Sequence, residues 1–190
     1  MVYWRYGYTV TAESTSGLPV VLTADPDTPS CGVSTASLPP GYGNVFVGSA
    51  GPCTVFADQP GNDQYAPAER ISMTFEVARE PSILVAKKAS KGLLGLTPTT
   101  FSANLLILSW WGFNQGYLPY PKQVVTFSVG GKKVCSATTV EVDDGSFFGS
   151  AVASCKATIG LLAARRYTSY AADFAGDADF LPSTATGVLQ

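Results

Sequence analysis

The amino-acid sequence predicts an all-β protein built from two consecutive antiparallel β-sandwiches. Three observations carry this prediction: apolar and polar residues alternate with period two, turn sequences separate the alternating segments, and each half of the chain holds one pair of cysteines. Strict alternation over four to eight residues is typical of a strand with one buried face. Short strands separated by turns, with almost no helical period, favour sandwiches.

The alternating segments and the turns are found in both halves of the chain. The clearest alternation covers residues 8–12, 53–58, 72–77 and 124–129. Glycine, proline and acidic or amide residues mark turns between these segments at residues 16–17, 39–41, 60–62, 130–131 and 143–145. Residues 160–167 are compatible either with one helical turn or with a segment that leads into a strand.

The composition indicates a packed protein and excludes several kinds of chemistry. Hydrophobic residues make up 46% of the 190 residues, which is far too apolar for a disordered chain. Histidine is absent, so Ser-His-Asp and Cys-His catalysis, His-ligated zinc and His-ligated haem are excluded. The acidic pairs Asp25-x-Asp27 and Asp177-x-Asp179 are more typical of turns than of a calcium site. We therefore expect no enzyme activity, no metal and no cofactor.

The charge distribution divides the chain into two parts. Residues 1–80 hold three basic and eight acidic residues, whereas residues 81–190 hold nine basic and six acidic residues. The overall net charge of −2 gives no reason to expect nucleic acid as a partner. We predict one sandwich over residues 1–79 and a second over residues 80–190, joined by a connection too short to leave much freedom.

The cysteines predict one disulfide within each unit. Cys31 and Cys53 are separated by 22 residues, and Cys135 and Cys155 by 20 residues. Four-cysteine zinc sites are built from close C-x-x-C pairs, which this chain lacks, so buried free thiols are the main alternative. Disulfides would place the protein in an oxidising compartment.

Two local matches predict an internal repeat. With Cys31 aligned on Cys135, residues 20–24 fall on residues 124–128 at an offset of 104. Farther along the chain, residues 57–68 match residues 172–183 at an offset of 115. We interpret these matches as a tandem duplication. In the second match Tyr65 and Phe180 are expected to fill the end of each core.

These motifs resemble tandem immunoglobulin-like (Ig-like) domains of exported and cell-surface bacterial proteins. The stretches that carry the resemblance are residues 16–20, 51–55, 59–68, 124–131, 134–139 and 174–183, together with the four cysteines. The resemblance implies two Ig-like sandwiches that act as a structural or adhesive module, both as a spacer and as a scaffold for binding loops. It implies neighbouring Ig-like domains of a longer chain as partners, a host protein or glycan as ligand, and no catalytic residues.

An aromatic insertion at residues 110–120 is the best candidate for a binding site in the second unit. Consecutive residues of a strand point to opposite faces, so we expect one of two neighbouring tryptophans to be exposed. Exposed rings can stack on sugars or anchor a protein partner. The candidate residues are Trp110, Trp111, Phe113, Asn114, Tyr117 and Tyr120. The alternatives are a carbohydrate-binding module and rings that only cover the end of the sandwich.

The expected location is extracellular or on the cell surface. No apolar stretch is as long as the roughly 20 residues that a spanning helix needs, so no membrane insertion is expected in this segment. The first residues lack the basic and apolar regions of a signal peptide. Because the cysteines favour export, we expect this chain to be part of a longer protein whose export signal lies elsewhere.

Overall fold

The protein is all-β, with several antiparallel sheets and almost no helix. A computed structural model describes residues 2–3, 8–28, 30–111, 114–143 and 150–190. The chain divides into two compact units, Met1–Glu80 and Pro81–Gln190. Among the described residues, no helix is long and apolar enough to span a membrane.

The described residues of the first unit form two sheets. Its strands are β1 (Val2–Tyr3), β2 (Tyr8–Thr11), β3 (Val21–Ala24), β4 (Cys31–Ser34), β5 (Tyr42–Val47), β6 (Gly51–Asp58) and β7 (Ile71–Ala78). One sheet has the order β1-β7-β6-β3, and the other has the order β2-β5-β4. All these pairs are antiparallel except β1 with β7, which is parallel.

Residues from both sheets form the core of the first unit. Leu22 of β3, Val55 of β6 and Val77 of β7 pack with Val45 of β5 and with Cys53. In β5 the buried residues alternate with exposed ones, as expected for a strand with one face against the core.

The second unit is larger, and the part of it that the structure describes also forms two sheets. Its elements are β8 (Ser82–Ala86), a 3-10 turn (Leu93–Gly95), β9 (Thr99–Trp111), β10 (Asn114–Pro119), β11 (Val124–Val129), β12 (Lys132–Thr138), β13 (Val140–Val142), β14 (Ser150–Ala157), α1 (Leu161–Arg166), β15 (Ser169–Phe174) and β16 (Ser183–Val188). One sheet has the order β10-β9-β14-β13, with β8 also paired to β9. The other has the order β12-β11-β15-β16.

Three aromatic residues from the two sheets meet in the core of the second unit. The ring of Phe101 in β9 lies 6.2 Å from that of Phe127 in β11 and 5.2 Å from that of Tyr170 in β15. The Tyr170 hydroxyl reaches the backbone carbonyl oxygens of Lys87 and Ser102. A buried phenol needs such a partner.

The segment at residues 160–167, for which the sequence left two possibilities open, forms the short helix α1. In its first turn the backbone N–H of Ala164 donates a hydrogen bond to the carbonyl of Gly160.

Candidate functional site

Both predicted disulfides are present, and each joins the two sheets of its unit. Cys31 in β4 is bonded to Cys53 in β6, and Cys135 in β12 is bonded to Cys155 in β14. No cysteine of the described residues is free. The free-thiol and zinc alternatives are therefore excluded for these four residues.

The two disulfides occupy different places in their sheets. In the first unit Cys53 lies in β6, whose end leads through residues 59–70 into β7. In the second unit the corresponding connection runs from β15 to β16, but Cys155 lies one strand earlier, in β14. The nearly equal cysteine spacings of 22 and 20 residues thus come from different pairs of strands.

One buried residue in each unit pairs with an alanine of the second sequence match. Buried Leu22 of β3 pairs with Ala57 of β6, and buried Phe127 of β11 pairs with Ala172 of β15. Ala57 and Ala172 are 115 residues apart, as the sequence match has them, whereas Leu22 and Phe127 are 105 apart. The separation of 105 differs by one residue from the offset of 104 that aligns Cys31 with Cys135.

The turn between β6 and β7 is held by an asparagine side chain. Asn62 Oδ1 accepts the backbone N–H groups of Gln64 and Tyr65, both at 2.9 Å. The backbone N–H of Asn62 donates back to the carbonyl of Tyr65 at 2.9 Å. Gly61 precedes it with φ +76°, and a Cβ there would lie 2.6 Å from the Tyr65 oxygen. Only glycine fits this turn without strain.

The turn between β15 and β16 has the same construction. Asp177 Oδ1 accepts the backbone N–H groups of Asp179 at 2.9 Å and Phe180 at 2.8 Å. The Asp177 N–H donates to the carbonyl of Phe180 at 3.1 Å. Gly176 has φ +81°, and a Cβ there would lie 2.7 Å from the Phe180 oxygen. Asn and Asp stabilise turns in this way because their short side chains reach the backbone two residues on.

The aromatic residues at the ends of these turns differ. Phe180 is 2% exposed and packs 4.5 Å from the ring of Tyr120. Tyr65 is 50% exposed, so the prediction that it fills the end of a core is wrong. The first unit has no counterpart of Tyr120 among its described residues to cover that ring.

Only one candidate residue of the aromatic insertion has a described side chain. The side chains of Trp110, Trp111, Asn114 and Tyr117 lie outside the described residues, as does the whole of Phe113. The backbone around them forms a β9–β10 hairpin, in which Trp111 pairs with Asn114. A binding role for the insertion stays a prediction.

Tyr120, the remaining candidate, takes part in packing. Its hydroxyl donates to Asp177 Oδ2 at 2.6 Å, and its ring lies against Phe180 and Phe174. Burial, the hydrogen bond to Asp177 and the charge of that carboxylate raise the pKa of Tyr120 above its usual value. The phenol is therefore held protonated as a hydrogen-bond donor.

The outer face of the sheet β2-β5-β4 carries exposed aromatic rings. We call it the aromatic face. Its residues alternate with the core residues of the same strands and are Thr9, Thr11, Gly32, Ser34, Tyr42, Asn44 and Phe46. Phe46 is 58% exposed and Tyr42 is 41% exposed. None of the seven residues is charged, although residues 1–80 carry eight acids.

A missing side chain shapes this face. Gly32 of β4 pairs with Phe46 of β5, and a Cβ on Gly32 would lie 2.2 Å from Phe46 Cζ. The phenylalanine ring therefore lies across the strand, in the space that a side chain at position 32 would fill. Beside it, Thr9 Oγ1 donates to Asn44 Oδ1 at 3.1 Å. The amide NH₂ group of Asn44 takes no part in this hydrogen bond.

Sequence reasoning did not find the aromatic face. The available signal was the alternation of Tyr42, Asn44 and Phe46 with Gly43 and Val45, which marks one face of a strand. Its exposure depends on the neighbouring strands β2 and β4, whose outward residues are small and polar. That arrangement becomes visible only when the strand pairing is known.

No protein-family model and no curated protein sequence matches the chain. The Ig-like assignment therefore remains an inference from the motifs and from the fold.

Proposed function

We propose that the chain is a non-enzymatic structural and adhesive module of a larger exported bacterial surface protein, built from two Ig-like sandwiches. The observation that carries the proposal is the repeated pairing of Leu22 with Ala57 and of Phe127 with Ala172. In both units the paired strand then enters a glycine-led turn held by an Asn or Asp side chain. A duplicated unit suits a spacer that presents loops.

The strand order within each unit supports the Ig-like assignment. Each unit has one sheet in which a short opening segment runs parallel to the closing strand. In the first unit β1 is parallel to β7, and in the second Ala89 forms a parallel bridge with Leu189. The remaining strands pair antiparallel within each of the two sheets, as in the Ig-like sandwich architecture.

The two disulfides support export. Disulfides persist in oxidising compartments and are rare in the cytosol. Non-reducing peptide mapping of the protein isolated from its native host tests this step, and we expect the pairs Cys31–Cys53 and Cys135–Cys155. Protease treatment of intact host cells tests surface exposure. Free thiols in the isolated protein, or complete protection on intact cells, would contradict the proposal.

Carbohydrate binding is the second candidate function, and the aromatic face supports it. Aromatic rings flanked by a few polar groups are typical of sites for small neutral ligands, and the C–H groups of sugars pack well on ring faces. The three strands lie about 4.8 Å apart, and β2, β5 and β4 have 4, 6 and 4 residues, which gives a face of roughly 230 Å². This is less than half of the roughly 800 Å² per partner that a stable protein interface buries. The face is thus large enough for a short oligosaccharide.

A glycan array with the full chain tests this candidate. We expect neutral glycans to bind and the Tyr42→Ala, Phe46→Ala variant to lose them. The variant Ile71→Ala removes an exposed apolar residue from the other sheet of the same unit and serves as the matched control. The variant Trp111→Ala, Tyr117→Ala separates the aromatic face from the insertion. If glycan binding survives the loss of both rings, the aromatic face is excluded as the binding site.

A further inference from the structure

Three leucines project into solvent at one end of the second unit. Leu93 and Leu96, at the 3-10 turn, are 75% and 66% exposed, and Leu162 of α1 is 84% exposed. The turn and the helix pack together, since the backbone N–H of Gly160 donates to the carbonyl of Gly95 at 3.0 Å. The leucines therefore belong to one small surface rather than to separate loops.

Basic side chains lie at the same end of the unit as these leucines. Lys91 and Arg165 line the same shallow depression as Leu93. The Arg166 guanidinium lies 5.5 Å from the centre of the Tyr167 ring, and that ring packs against Gly130 in the β11–β12 turn. This turn leads directly into Lys132 and Lys133, the first two residues of β12.

Three further lysines lie at the same end. Lys87 and Lys88 follow the last residue of β8, and Lys156 near the end of β14 pairs with Thr100 at the start of β9. Eight of the nine basic residues in this unit are thus at the end that carries the leucines, which we call the basic end. The ninth, Lys122, lies before β11, where its backbone N–H donates to the carbonyl of Thr139.

The acidic residues lie away from the basic end. Residues 81–140 and 145–172 contain no Asp or Glu. Of the described acids of this unit, Glu141 is in β13, Asp143 follows β13, Asp173 is near the end of β15, and Asp177 and Asp179 are in the turn that follows β15. β15 begins beside α1 and ends at that turn, and β13 pairs with the start of β14, so the described acids are on the opposite side of the unit. The unit is electrically polarised along its strands.

We propose that the basic end docks on an anionic lipid bilayer. The lysines and arginines face the lipid phosphates, and the three leucines enter the boundary between headgroups and acyl chains. Apolar side chains inside a ring of basic residues are typical of proteins that lie on membranes without spanning them. Each basic residue near such a surface strengthens binding by about fivefold. The adhesive role does not require this activity, so the two proposals stand or fall separately.

Co-sedimentation of the full chain with vesicles tests the proposal. We expect binding to vesicles of phosphatidylglycerol mixed with phosphatidylcholine, and little binding to phosphatidylcholine alone. The variant Lys91→Gln, Arg165→Gln should weaken binding by at least tenfold. The variant Leu93→Ser, Leu162→Ser should weaken it as well, and the binding that remains should be lost when salt is added.

Two matched controls accompany these variants. Lys122→Gln removes the one basic residue at the other end, and Val124→Ser removes an exposed apolar residue there. Both should bind as the unchanged chain does, and circular dichroism checks that every variant is folded. Absence of vesicle binding would overturn the proposal. Equal binding of the leucine variant, together with equally tight binding to soluble polyphosphate, would also overturn it, because charge alone would then explain the attraction.

Discussion

The Tyr120 hydroxyl donates a hydrogen bond to Asp177 Oδ2 at 2.6 Å, across 57 residues of sequence. The other oxygen of the same carboxylate accepts the backbone N–H groups of Asp179 and Phe180. A single aspartate therefore holds the β15–β16 turn and anchors the aromatic ring that covers Phe180. The first unit has an asparagine in the same role, and its Tyr65 is exposed.

Replacing Tyr120 by Phe should destabilise the protein by about 1–3 kcal/mol, because the hydrogen bond to a charged carboxylate is lost while the ring remains. Urea unfolding at neutral pH measures the change. Tyr42→Phe is the control, since that tyrosine is exposed on the aromatic face, and it should change stability by less than about 0.5 kcal/mol. Equal stabilities for the two variants would contradict the role given to this bond.

Stability should fall at alkaline pH. Burial raises the pKa of Tyr170, and burial together with the Asp177 carboxylate raises the pKa of Tyr120. A group whose folded pKa is raised contributes stability below its unfolded pKa of 10.0, and this stability is lost as the pH rises above that value. Unfolding measured between about pH 8 and pH 11 should show this loss. The slope should be shallower in Tyr120→Phe, and an unchanged slope would contradict the prediction.

Removal of either disulfide should cost about 3 kcal/mol, since the closed loops of 22 and 20 residues are nearly equal in length. The variants Cys31→Ala, Cys53→Ala and Cys135→Ala, Cys155→Ala measure each contribution by denaturant unfolding. Added reductant should then destabilise each variant further through its remaining disulfide. A variant that is insensitive to reductant would show that its remaining bond contributes nothing.

Gly176→Ala should destabilise the protein by roughly 2–4 kcal/mol, because the new Cβ meets the Phe180 carbonyl in addition to the strain of a positive φ. Gly131→Ala is the matched control. Gly131 has φ +78°, close to the +81° of Gly176, but nothing lies within 4 Å of its Cβ position. It should cost only the backbone strain, about 1 kcal/mol. Thermal unfolding of both variants separates the cost of backbone strain from the cost of the steric clash with the Phe180 carbonyl.

Gly187→Ala and Gly32→Ala should destabilise the protein by different amounts, although both glycines lie beneath an aromatic ring. A Cβ at position 187 would lie 2.2 Å from the ring of buried Tyr170, whose hydroxyl is bonded to Ser102, so overpacking should cost about 1–3 kcal/mol or more. The exposed Phe46 ring over Gly32 can swing into solvent, so that variant should cost less than about 1 kcal/mol. Gly32→Ala should instead weaken glycan binding. A reversed order of stabilities would contradict this account.

Much of the fold could be predicted from local patterns. The alternation over residues 124–129 predicted β11, and its residues Val125, Phe127 and Val129 are buried as a strand with one inward face requires. The helix α1 could not be predicted, because six residues are too few for a helical period and its formation depends on packing against the 3-10 turn.

The aromatic face and the basic end could not be predicted, for a common reason. Phe46 is exposed because Gly32 of a neighbouring strand leaves room for its ring. Lys91, Lys132 and Arg165 are far apart in sequence and lie at one end of the unit because β8 and β14 end there and β12 begins there. Such surfaces are created by strand pairing, which a single sequence does not display.

By itself, the sequence determined the all-β character, the pairing of the cysteines and the two glycine-led turns. These depend on periodicity, spacing and backbone chemistry within short stretches of chain. The tertiary structure decided that Cys53 and Cys155 lie in strands that do not correspond, and that Phe180 is buried while Tyr65 is exposed. A local pattern shows which face of a strand is apolar. Only the packing of distant strands decides what covers that face.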